Sequence, residues 1–115
     1  MGKDAGPLWP RLVQNDVVDD ATAGVGLVSD LPEDYADDFA VIDDLVISTK
    51  TSMDIIIKTK TTETVLLKLH GFSGYQQFTL RNGLVSPDAG EGIRLVASVA
   101  GEISFYCSAH IETIS

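Results

Sequence analysis

The most constraining feature of the chain is its C-terminal run GEISFYCSAHIE, residues 101–112. Ile103, Phe105, Cys107, Ala109 and Ile111 alternate with Glu102, Ser104, Tyr106, Ser108, His110 and Glu112. Successive side chains on a strand point to opposite faces, whereas a helix would spread this set around its axis. The alternation therefore predicts a strand with one buried face. Just upstream, Ile93, Leu95, Ala97 and Val99 alternate with Arg94, Val96 and Ser98. Ala100-Gly101 offers a tight connection, so residues 92–112 read as a β-hairpin.

The same period recurs earlier. Met53, Ile55 and Ile57 share one face, Val65, Leu67 and Leu69 share another, and the polar TKTTE between them supplies a turn. FAVIDDLVIST is strand-like at both ends, and Asp43-Asp44 interrupts it as a bulge or a turn. Phe78 and Leu80 mark a further strand ended by Asn82-Gly83, a strong turn dipeptide. SPDAGEG, residues 86–92, reads as a loop, and Gly24-Val25-Gly26-Leu27-Val28-Ser29 as a flexible turn. No window of a dozen residues carries a helical apolar stripe, and only a short helical turn is expected near Pro32. Six to eight short strands predict an all-β fold, a single β-sandwich or jelly-roll domain over residues 16–115.

Residues 1–15 read as an extended N-terminal arm. Pro7 and Pro10 fix φ, remove two backbone donors and push Gly6 and Trp9 toward extended conformations. Leu8, Trp9, Leu12 and Val13 load this arm with apolar surface. Two placements are open. The arm caps its own core, or it docks on a neighbouring molecule, where an aromatic anchor dominates the binding energy. A second group raises the same question: Ile56, Leu66, Val96 and Tyr106 fall on the outward positions of their strands. Isolated exposed apolar residues are ordinary, but four joined into one patch would mark a subunit or partner interface. These eight residues are the candidate partner-binding set, and a homo-oligomer is expected.

No candidate for catalysis, cofactor binding or metal binding emerges. Cys107 and His110, three apart on a strand, face opposite sides, and Cys107 belongs to the buried set. His70 and His110 lack the companions of a zinc site. Gly24-Val25-Gly26-Leu27-Val28-Ser29 has Ser where a dinucleotide fingerprint has its third glycine, with no βαβ unit around it. EDYADD, residues 33–38, lacks the spacing and central glycine of a calcium loop, and a solvated acidic loop is the simpler reading. An enzyme is therefore not expected.

The 17 acids against 8 bases give a net charge of −9, opposed to the basic surface that nucleic acid requires. That charge lies in the first 44 residues, where eleven acids face two bases. Residues 45–115 hold six of each. The apolar runs are too short to span a bilayer, so no membrane association is expected. The opening MGKDAGPLWP lacks the apolar region of a secretory signal. One cysteine excludes an internal disulfide and suits assembly in a reducing compartment.

An extended arm followed by an all-β domain ending in GEGIRLVASVAGEISFYCSAHIE resembles the small structural proteins of tailed-bacteriophage virions, in particular jelly-roll capsid decoration (cement) proteins. The resemblance covers roughly residues 38–115 and the general idea of an arm, and rests on layout. It implies a non-enzymatic virion protein, assembled in the host cytoplasm. Such a protein would trimerise and bind the major capsid protein at local threefold points of the capsid surface, with the arm as an anchor. Two other assignments stay open: a tail or head–neck structural subunit, and a sugar- or receptor-binding module of a tail fibre or baseplate. For the latter, Tyr75 and Tyr106 are the available aromatic platform.

Overall fold

The computed structural model describes residues 11–113. Leu8 and Trp9 of the expected partner-binding set lie outside them. Six strands follow one another: β1 Arg11–Val18, β2 Val25–Val28, β3 Phe39–Thr59, β4 Val65–Val85, β5 Ile93–Ala97 and β6 Ile103–Glu112. Among the described residues the only helical element is a 3-10 turn, Glu33–Tyr35, directly after Pro32.

β3 and β4 organise everything else. Each is 21 residues long. A straight strand of that length would run roughly 70 Å at about 3.3 Å per residue, but the molecule's longest dimension is 46 Å. The hairpin must therefore bend, and the register shows where. Thr49 of β3 pairs with Gly74, and the next partners are Met53 and Phe72. Lys50–Ser52 thus bulge opposite Ser73, a stretch flanked on β4 by Gly74 and Gly71, both of which have positive φ. There the ribbon folds over, and glycine alone adopts that backbone at little cost.

The halves of this ribbon build two layers. In the first, residues 39–49 of β3 lie between β6 and residues 74–85 of β4, and β1 adds to β6, giving the order β1-β6-β3-β4. In the second, residues 55–59 of β3 lie between β5 and the start of β4, and β2 adds to β5, giving β2-β5-β3-β4. This is an all-β sandwich of jelly-roll character. Its eight strand segments come from six strands, because two strands serve both layers.

The inward faces form one core. Leu45, Ile47, Phe105, Cys107 and Ala109 from the first layer meet Met53, Ile55, Ile57, Ile93 and Leu95 from the second. All five alternating positions of β6 are buried, as its sequence period demands. In β3 the bulge expected at Asp43-Asp44 is present: Ile42 pairs with Ala109 and Asp44 with Ser108, so one residue is extra. That extra residue shifts the side-chain phase. Ala40 and Ile42 point inward before it, and Leu45 and Ile47 after it, while both aspartates stay partly exposed.

Four sequence expectations need correction. Residues 92–112 are not a hairpin: β5 and β6 both pair with β3 and belong to different layers, so Ser98–Glu102 crosses between the sheets. Residues 11–15 are not arm, since they pair with β6 from Arg11↔His110 to Asn15↔Tyr106. Asn82-Gly83 does not end a strand. β4 passes through it to Val85, its partners jumping from Thr79↔Asp44 to Leu84↔Ile42 to accommodate a wide bulge. The Val25-Gly26 stretch read as turn is strand β2, preceded by Gly24 at φ 96°.

Candidate interaction surfaces

Cys107 and His110 lie three apart on β6 and face opposite sides of the sheet. Cys107 is fully buried. Burial, with the nearby Asp43 charge, pushes its thiol up to about 12, where it is neither nucleophile nor metal ligand. His110 lies between two carboxylates, with Nδ1 2.8 Å from Asp43 Oδ2 and Nε2 2.6 Å from Glu112 Oε2. Partial burial pulls its pKa down, but the two carboxylates outweigh that and leave it raised above the ordinary histidine value. Among the described residues no group of three or more His, Cys, Asp or Glu is placed to hold a metal ion. No helix among them is long and apolar enough to cross a membrane.

The outward apolar residues do not make the single patch expected. Ile56 and Val96 are cross-strand neighbours on the outer face of the second layer, lining a shallow cleft of about 260 Å3 with Asp54, Lys68 and His70. Leu66 and Leu12 pack as partly buried residues against the core. Tyr106 lies on the first layer, away from Ile56 and Val96, and Val13 is exposed on β1 beside it.

The first layer's outer face carries the larger feature. Strand register sets two rows of neighbours across four strands. One runs Val17, Ser104, Ser48, Tyr75, and the next runs Asn15, Tyr106, Val46, Gln77. Ser104 and Ser48 are short, so the first row sinks between Val17 and Tyr75, with Tyr106 standing in the row alongside. The result is an open cleft of about 610 Å3. Tyr75 and Val17 are 66% and 60% exposed, and Tyr106 is 39% exposed. Strands lie about 4.8 Å apart and residues on one face about 6.8 Å apart along them, which puts the backbones of the two tyrosines roughly 12 Å apart. Period-2 reading places Tyr106 on this face. It does not reveal Val17, Val46 or Tyr75 as its neighbours, because those contacts depend on non-local register.

The third surface is an edge. Among the described residues β4 pairs with β3 alone, and no other described strand pairs with its far side in either layer. Residues 69–80 of β4, LHGFSGYQQFTL, contain no Asp, Glu, Lys or Arg. Leu69, Phe72, Phe78 and Leu80 are partly buried against the core, and Ser73, Tyr75, Gln76 and Gln77 are exposed.

No family model matches the chain, and no curated protein does. A solved chain from Bacillus endospore appendages, described as a novel family of disulfide-linked pili, is similar over 92% of both chains at 15% identity and a TM-score of 0.46.

Proposed function

We propose that the chain is a non-enzymatic structural subunit that assembles with copies of itself through the open edge of β4, and that it decorates or stabilises a larger protein shell. Unpaired strand edges are templates for another strand, and natural proteins usually blunt them with charge, proline or short length. Here twelve consecutive edge residues carry neither charge nor proline, in a chain of net charge −9. This is the observation that carries the proposal. It is also the place where two acidic copies can meet without repulsion. The shell is a phage capsid, with trimers as the assembled form, on the resemblance to decoration proteins given by the sequence layout. The major capsid protein is then the partner and the virion surface the location.

Sedimentation of the purified chain tests the reading. The wild type is expected to form a defined oligomer at micromolar concentration, and the double variant Ser73→Lys/Gln76→Lys a monomer with unchanged far-UV circular dichroism. Both positions are exposed, so the lysines cost the fold little. A wild type that stays monomeric and binds no shell component refutes the proposal.

A sugar- or receptor-binding reading has its own specific support. Tyr75 and Tyr106, the aromatic pair available from sequence, flank one cleft with Asn15 and Asp16 at its rim. Tyrosine-dependent retention on a glycan array would favour it.

A further inference from the structure

We infer that the cleft between Tyr75, Tyr106 and Val17 is the receptor for the Trp9 segment of a second copy of this chain. The inference rests on the assembly reading above and names the contact that links one copy to the next.

The argument starts from reach. The backbone enters β1 at Arg11, paired with His110, whereas the cleft draws on Asn15, Asp16 and Val17. Those residues lie four to six positions along the strand, roughly 13–20 Å away. Trp9 is two residues before Arg11, so its Cα stays within about 7 Å of Arg11 whatever path the chain takes. Even with the length of the indole added, that reach covers no more than the near rim of the cleft at Asn15 and falls short of the space between Val17 and Tyr75. Only another copy can seat an indole there.

The chemistry of the two partners matches. AGPLWP, residues 5–10, is uncharged, and its two prolines hold it toward the polyproline II conformation. Proline-rich segments of that kind dock in aromatic-lined grooves, losing little conformational entropy because they are already extended. The cleft offers two exposed tyrosines, a floor lowered by Ser48 and Ser104, and a valine wall, with no Lys or Arg among its lining residues. The exposure of Val17 and Tyr75 leaves apolar surface that an incoming tryptophan would cover. Tyr75 belongs both to this cleft and to the β4 edge segment, so the arm of one copy would seat directly beside the strand pairing and depend on it.

The test uses the full chain carrying Trp9→Ala. Trp9 is the only tryptophan, so this variant has an unoccupied cleft and no indole signal of its own. An acetylated, amidated peptide of residues 5–12 is titrated with it, and the peptide's fluorescence reports its environment. A saturable blue shift is expected. It should weaken at least tenfold when Tyr75→Ala and Tyr106→Ala are added, and persist with Tyr106→Phe. Both tyrosines are exposed, and far-UV circular dichroism checks that the fold is kept.

Absence of binding, or binding indifferent to the tyrosines, overturns the inference. If the wild type still forms oligomers in that case, the assembly reading stands without it. If the wild type is monomeric at concentrations where the peptide saturates the variant, both fail. Tyrosine-dependent binding of an oligosaccharide panel with no peptide binding also overturns the inference and assigns the cleft to sugar.

Discussion

Replacing Gly92 by alanine puts a methyl group where the fold has no room. A Cβ built on Gly92 would lie 2.2 Å from the carbonyl oxygen of Val28, 2.7 Å from the carbonyl carbon of Ser29 and 2.8 Å from the amide nitrogen of Asp30. All three are backbone atoms, so no rotamer relieves the contact. The loop before β5 has to retreat from the end of β2 by about an ångström to restore ordinary van der Waals distances. Overpacking of this kind typically costs about 1–3 kcal/mol. The retreat also stretches two hydrogen bonds, from Gly92 N to Asp30 Oδ1 at 2.8 Å and from Lys60 N to Gly92 O at 3.0 Å, each worth about 1 kcal/mol. A loss of about 3 kcal/mol is expected.

Gly26, in β2, supplies the contrast, because nothing lies within 4 Å of its Cβ position and its φ is not in the left-handed region. Gly26→Ala should be neutral or stabilise by about 0.4–1 kcal/mol, through lowered unfolded-state entropy. Urea titration followed by far-UV circular dichroism measures both, because the single tryptophan lies outside the described strands. If the two variants differ by less than about 1 kcal/mol, the packing of β2 against the Gly90–Gly92 loop is wrong.

Three further outcomes follow from the same structure. Leu95→Ala or Ile57→Ala removes a fully buried side chain where the two layers meet and should cost about 2–5 kcal/mol in the same titration. His110, with its pKa raised by Asp43 and Glu112, is held preferentially as the cation. Its contribution is therefore complete below the unfolded value of about 6.5 and lost as pH rises through the higher folded value. The melting temperature of the wild type should fall over that window relative to its own acid-side value, and that part of the fall should vanish in His110→Gln. Cys107, buried and with its thiol pushed up to about 12, should resist a thiol reagent at pH 8 in the folded chain and react fully in denaturant. Rapid labelling of folded protein would contradict its placement.

What could be read from the sequence was local, and what could not was register. The alternation of β6 and the turn after Thr59 depend on neighbours within a few residues, and both stand in the structure. So does the bulge at Asp43, since two adjacent carboxylates inside an apolar strand need a way out of the core. The supposed 92–112 hairpin failed because a tight connection between two alternating segments has two solutions. They can pair with each other, or each can pair with a different half of a third, bent strand. The length of β3 decides for the second, and nothing near Ala100-Gly101 encodes it. Likewise the prolines at 7 and 10 suggest an arm to residue 15, yet Arg11–Asn15 already pair with β6 and Leu12 packs on the core. Tyr75 and Tyr106 were visible as aromatics. Their shared cleft depends on Ser48 and Ser104 being aligned between them, a pairing of segments more than 50 residues apart in the chain.

The measurement that bears most directly on assembly through β4 is amide hydrogen exchange of the full chain at rising protein concentration. The outward-facing amides of residues 69–80 have no strand partner among the described residues of one copy. The account predicts that peptides from this segment gain protection as concentration rises, and that the gain is absent in Ser73→Lys/Gln76→Lys. Exchange in residues 69–80 that stays fast and independent of concentration, while the rest of the sandwich is protected, would contradict it.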